Sequence, residues 1–166
     1  MSKQVTAIYP GSFDPVTYAH LDIIDRGRGI FENVIVAVLM NAEKDPLFET
    51  EERLEMLRLV TQKWDNVTTD TFQGLLVNCA VKKEAQVILR GIRAVTDYEY
   101  EFQMALMNRR LQANIETVFM VPDEAYSYLS SSLVKEVFSL GGSVTGLVPD
   151  IVEKFLEQKA RPLERG

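Results

Sequence analysis

The chain has 166 residues, 46% hydrophobic and 25% charged, with a formal net charge of −6. That length suits one domain with a sizeable core, expected to span residues 1–166, and the acidic balance argues against a general nucleic-acid surface. Cys79 is the only cysteine, which excludes an internal disulfide framework and suits a reducing compartment, and no apolar run approaches the roughly 20 residues that span a bilayer.

Met1-Ser2-Lys3-Gln4 runs straight into an apolar stretch, so no signal peptide and a cytoplasmic location are expected. Val5 to Tyr9 predicts a short buried strand. Pro10-Gly11 ends it in this reading, because proline removes a ladder donor and glycine permits a sharp turn. Asp14-Pro15 is a second turn signal, since proline disfavours helix at the residue before it. A helical pattern begins at about His20, with Leu21, Ile24 and Phe31 on its apolar face. Asn33 to Met40 is a β-branched run expected to be a strand buried on both faces. Asn41 to Phe48 is a polar loop carrying Lys44. Thr50 is expected to cap the next helix, where Glu51 and Glu52 suit the positive end and Leu54, Leu57, Thr61 and Trp64 follow at helical spacing.

Val67 to Phe72 predicts a strand and Gly74 to Lys83 a short helix. Cys79 lies in its apolar stretch and reads as core rather than as a nucleophile. Gln86 to Leu89 predicts another strand, followed at once by Arg90-Gly91-Ile92-Arg93. Thr96 and Glu99 have capping-box spacing, and Val95, Tyr98, Phe102, Ala105 and Leu106 are expected to form the inward face of a long helix. Glu116 to Val121 predicts the next strand, stopped by Pro122. Ser130 to Ser132 start a helix that Gly141-Gly142 ends. Pro149 starts the last one, with Ile151, Val152, Phe155 and Leu156 apolar, and the tail from Ala160 is expected to fray.

Strands alternating with helices predict an α/β protein with a doubly wound, mostly parallel five-stranded sheet. Ligands of such sheets sit beyond the carboxyl ends of the strands, where the strand order reverses. Ser12, His20, Lys44, Arg90, Arg93 and Ser130 to Ser132 all follow expected strand ends. The first loop leads from a strand into a helix N-terminus, where free N–H groups and the helix dipole favour an anion. By position alone, His20 is either a satisfied helix-start residue or a group facing that anion. Arg90 and Arg93 are either surface ion-pair partners or two forked cations for one polyphosphate. The serines either cap their helix or also present hydroxyls to phosphate. Asp14 reads as shaping its loop rather than as a general base.

Gly11-Ser12-Phe13-Asp14-Pro15 followed by Thr17-Tyr18-Ala19-His20 resembles the first signature of the nucleotidyltransferase superfamily, the Thr/His-x-Gly-His box. Tyr126-Ser127-Tyr128-Leu129-Ser130-Ser131-Ser132 resembles the second, Ile-Ser-Ser-Ser, with Leu129 in place of Ile and Lys135 at a position that is often basic. Over nearly its whole length the chain is similar to the bacterial phosphopantetheine adenylyltransferases. Ser12 stands where that family usually has Thr, which keeps the hydroxyl, and Ala19 where it usually has Gly, which adds a methyl group near the nucleotide.

The resemblance implies a Rossmann-like nucleotidyltransferase fold. It also implies reversible adenylyl transfer from ATP to phosphopantetheine, giving dephospho-coenzyme A and pyrophosphate in coenzyme A biosynthesis. His20 is then the transition-state stabiliser. ATP contacts fall to Ser12, Phe13, His20, Gly91, Ile92, Arg93, Glu101, Tyr126, Ser127, Tyr128, Leu129, Ser130, Ser131 and Ser132. Acceptor contacts fall to Ser12, Lys44, Leu76 and Arg90. Magnesium (Mg2+), liganded mostly by ATP oxygens, and a homohexamer come from the same resemblance. Two rivals stand beside it: a superfamily member with another acceptor, such as a nicotinamide mononucleotide adenylyltransferase or a cytidylyltransferase, and a non-catalytic adenine-nucleotide binding module.

Overall fold

The structure, a computed structural model, describes residues 4–40 and 45–160, without the side chains of Val95 and Thr96. The expected fraying tail beyond Ala160 lies outside the described residues. The first half of the chain forms β1 (Thr6–Gly11), α1 (Tyr18–Ile30), β2 (Asn33–Leu39), α2 (Thr50–Thr61) and β3 (Val67–Phe72). The second half forms α3 (Leu76–Lys82), β4 (Val87–Gly91), α4 (Val95–Leu111), β5 (Glu116–Met120), α5 (Ser131–Ser139) and α6 (Asp150–Ala160). The sheet order is β3-β2-β1-β4-β5 with every pair parallel, as helical crossovers require.

Alternation along the central strands divides the core between the two faces of the sheet. Ala7 and Tyr9 of β1 join Val36 and Val38 of β2 in one cluster, with Ile24, Leu57 and Leu156 from the helices. Ile8 and Ala37 point the other way and pack with Val77, Ala80 and Ile88. Cys79 packs at the margin of this second cluster, and burial pushes its thiol pKa up, as a core cysteine's would be.

Several expected boundaries shift for identifiable reasons. β1 does not end at Pro10-Gly11; those residues continue it and pair with Ala37 and Val38. Pairing of β1 with β4 covers only Ala7–Val87 and Ile8–Ile88, so at Pro10 no N–H is needed on that side. β4 likewise runs on through Arg90 and Gly91, which pair with Phe119 and Met120. In α2 the N-cap is Glu49, not Thr50, and Glu52 accepts its N–H at 2.8 Å. In α4 the N-cap is Ala94, so the Thr96–Glu99 spacing does not mark the helix start.

The inward face of α4 also differs from expectation. Tyr98, Phe102 and Leu106 are 44–48% exposed. Ala105 faces the protein as expected, but its inward neighbours are Glu101 and Asn108. Apolar residues surround this helix, so periodicity could not choose a face, and the stripe turned inward is small and polar because it borders a cavity.

Asp14, fully buried, holds the first loop. Its carboxylate accepts the Leu47 and Phe48 N–H groups at 2.9 Å each and pairs with Lys135 at 3.1 Å. Removing it strands two backbone donors near the core. Asp14→Ala is therefore expected to destabilise the fold by about 2–5 kcal/mol in urea unfolding, with an unchanged m-value. A loss below about 1 kcal/mol would contradict the role given to this carboxylate.

Candidate active site

From β1 the chain builds outward in two directions, to β2 and β3 on one side and to β4 and β5 on the other. β1 and β4 are thus the strands at which the order reverses, and past Ile8–Ile88 they no longer pair. Arg90 closes the foot of this gap. Its Nη1 donates to the Pro10 carbonyl at 3.1 Å, while Nε and Nη2 donate to the Glu101 carboxylate at 2.9 and 2.5 Å. These bonds leave two of the five guanidinium N–H donors for a ligand.

Two cavities meet at the gap. One, of about 480 Å³, carries Tyr9, His20, Arg93 and Ser130 to Ser132. The other, of about 680 Å³, carries Leu39, Phe72, Leu75, Leu76, Met104 and Asn108. Both reach Gly11, Ser12, Arg90 and Glu101. The first is polar, with Arg90 and Arg93 beside Glu101 and Asp97, whereas the second offers an apolar trough with few polar groups.

Two helix N-termini open onto the first cavity, those of α1 and α5. Ser130 caps α5: its Oγ accepts the Leu133 N–H at 3.1 Å and keeps its own hydrogen to donate. The Ser131 hydroxyl donates to the Pro15 carbonyl at 2.7 Å and ties α5 to the first loop. Arg93 Nη1 donates to the Leu129 carbonyl at 2.9 Å.

His20 belongs to both the helix and the cavity. Thr17 is the N-cap of α1, and its N–H donates to His20 Nδ1 at 3.0 Å. A nitrogen that accepts carries no proton, so the ring's hydrogen sits on Nε2. Burial, and then the charges of Arg93 and Arg90, push the His20 pKa down to about 4. Phe13 packs edge-on against the ring at 5.0 Å between centroids. At neutral pH His20 is therefore an uncharged donor held in one orientation. Tyr9 stands beside it, and burial pushes its hydroxyl pKa up to about 12, so it also keeps its proton.

The other expected residues divide. Gly91, Arg93, Leu129 and Ser130 to Ser132 line the first cavity, Leu76 the second, and Ser12, Arg90 and Glu101 both. Phe13 lines neither; its ring is 1% exposed beneath His20 and its φ is +48°. Ile92 lies outside the lining and gives its N–H to the Met120 carbonyl at 3.0 Å. Tyr126 stacks on Tyr18 at 6.0 Å, and the Ser127 hydroxyl donates to the Glu124 carbonyl at 3.1 Å. Tyr128 is 63% exposed. The three-residue helical turn at Glu124–Tyr126 carries this part of the run away from the lining. Lys44 lies outside the described residues. Sequence reading missed Tyr9, Tyr100, Asn108 and Arg53. Asn108 stands two turns after Glu101, and Arg53 is a cation in the first turn of a helix, where the dipole disfavours it.

Residues 8–137 match the family model described as Cytidylyltransferase-like. A phosphopantetheine adenylyltransferase of Desulfosudis oleivorans is 55% identical over 92% of this chain and 91% of its own length. That of Caldanaerobacter subterraneus subsp. tengcongensis is 54% identical over 92% of this chain and 96% of its own. The chain belongs to the phosphopantetheine adenylyltransferase family. Its fold is shared with a lipopolysaccharide core biosynthesis protein from Thermoplasma volcanium, at a TM-score of 0.56 and 15% identity over 72% of this chain and 98% of that one. In this adenylyltransferase Ala19 lines the first cavity, so the extra methyl group lies at its wall.

The sole histidine makes the ring's state directly measurable. Its C2 proton should titrate near pH 4 by NMR, well below the ordinary 6.5. The unfolded chain takes this proton first as pH falls. Stability should thus be full above about 6.5 and decline towards pH 4, and a His20→Gln variant should lose less over that window. A titration midpoint at or above 6.5 would refute the neutral, buried ring.

Proposed function

We propose that this chain transfers the adenylyl group of ATP reversibly to phosphopantetheine, giving dephospho-coenzyme A and pyrophosphate, as a step of coenzyme A biosynthesis. The observation that carries the reading is the meeting of a polar cavity and an apolar trough at Ser12 and Arg90, with His20 on the polar side. ATP takes the polar cavity and the pantetheine arm takes the trough, against Leu76. The acceptor phosphate then lies at the junction, where one of its oxygens attacks the α-phosphorus in line. The bond from that phosphorus to the bridging oxygen breaks, and pyrophosphate leaves with the electron pair.

The residues position and stabilise rather than bond covalently. The Ser12 hydroxyl, Lys44 and the free donors of Arg90 hold the attacking phosphate. Arg93 and the Ser130–Ser132 turn hold the ATP phosphates. His20 Nε2–H donates to an α-phosphate oxygen as charge gathers there. A neutral ring suits this task, because it donates without first having to gain a proton.

Magnesium enters this reading with the substrate, on the phosphate oxygens of ATP. Among the described residues no three His, Cys, Asp or Glu side chains are grouped to hold a metal, and Glu101 is engaged by Arg90. The exposed apolar side of α4, with Phe102, Leu106, Met107 and Leu111, supports assembly into a homohexamer. A cytoplasmic location fits the single cysteine, and no described helix is long and apolar enough to cross a membrane.

The decisive assay is pyrophosphate release from ATP and magnesium with phosphopantetheine, with nicotinamide mononucleotide, or with no acceptor. Release is expected only with phosphopantetheine. Release with another acceptor would discard the substrate, and ATP binding without release under any condition would favour a binding module. His20→Ala should lower kcat about a hundredfold or more while ATP binding is largely kept. Near wild-type turnover in that variant would remove His20 from the chemistry.

A further inference from the structure

Arg53 is 3% exposed and lines neither cavity. Its Nη1 donates to the Ser12 carbonyl at 2.8 Å and to the Leu39 carbonyl at 3.3 Å, and Nη2 donates to Thr50 Oγ1 at 3.1 Å. Nε has no partner. Among the described residues no carboxylate pairs with this guanidinium. A buried cation without a counter-charge is costly, and such arrangements persist where the charge or its grip is used.

Ser12 and Leu39 lie just past and at the ends of β1 and β2, and both line the second cavity. In a planar trans peptide the C=O and the next N–H point opposite ways. The Ser12 carbonyl is turned inward to Arg53. The Phe13 N–H on the same peptide is therefore turned away from Arg53, and Ser12 borders both cavities. None of the described residues accepts a hydrogen bond from that N–H. Phe13 itself has a positive φ, and its ring packs against His20.

We propose that Arg53 is a positioning residue for the acceptor phosphate. It grips the Ser12 carbonyl from behind, aims the Phe13 N–H at the junction of the cavities, and places a buried positive charge in line with that donor. It does not touch the substrate. The inference rests on the acceptor assignment made above.

The test compares calorimetric Kd values of the full-length wild type, Arg53→Met and Arg53→Lys for phosphopantetheine and for pantetheine, which lacks the phosphate. The pantetheine Kd divided by the phosphopantetheine Kd isolates what the phosphate contributes. In Arg53→Met this ratio should fall about tenfold or more, with the Kd for pantetheine changed less than about twofold. Arg53→Lys keeps the charge but not the fork, so its ratio should lie between the other two. Equal weakening of both ligands would show a merely structural role and overturn the inference, as would an unchanged ratio. Should Arg53→Met fail to fold by circular dichroism, Arg53→Lys decides: a fall of about threefold is expected, and an unchanged ratio overturns the proposal. A wild-type ratio near one would overturn the acceptor assignment itself.

Discussion

The parting of β1 from β4 after the Ile8–Ile88 pair is the constraint on which the site depends. Two parallel strands that stop pairing leave backbone groups unsatisfied along both edges. This chain answers with two side chains' worth of chemistry. Pro10 removes the N–H that would have been orphaned, and Arg90 supplies the donor that its carbonyl lacks, at 3.1 Å. The same guanidinium is then fixed in plane by Glu101 from α4. A gap that would weaken an ordinary sheet becomes a rigid floor beneath two cavities.

His20 shows how a local rule of helix formation sets chemistry. A helix N-terminus needs acceptors for its first N–H groups, and in a capping box the third helical residue reaches back to the cap. Here a histidine does so, through Nδ1 to Thr17 at 3.0 Å. One bond therefore caps α1, orients the ring and assigns the tautomer. The surrounding arginines and the burial act in the same direction, since each disfavours a second proton. Phe13, with its ring against the imidazole, limits rotation of the whole unit.

Much of this was legible in the sequence, and the failures share a cause. β2 was readable because a continuous β-branched run in a parallel sheet has few alternatives. The polar residues at strand ends pointed to the candidate site because the doubly wound fold brings those ends together. The continuation of β1 through Pro10-Gly11 was not readable, since it depends on a neighbour that withdraws. The inward turn of Glu101 and Asn108 beside Ala105 was not readable either, since a cavity reverses the rule that apolar side chains face in. Arg53 left only a faint trace, a cation where a helix start favours anions, and its carbonyl partners exist only after folding.

The charge of the site follows from the same geometry. The protein carries a formal charge of −6, yet its ligands in this reading are polyphosphates. Among the charged side chains described on the first cavity, Arg90 is balanced by Glu101, and Arg93 has Asp97 at 3.8 Å. Side-chain charges there come close to cancelling. What remains is polarity that does not titrate: the N-termini of α1 and α5, the Ser130 cap, the neutral Nε2–H donor of His20 and the Arg53 charge behind the Ser12 peptide. Fixed dipoles of this kind need little reorganisation when charge moves during phosphoryl transfer. They also do not attract the protein's own carboxylates as strongly as free lysines would. An acidic protein can thus keep a pre-formed anion site by building it mainly from backbone and from cations already held in place.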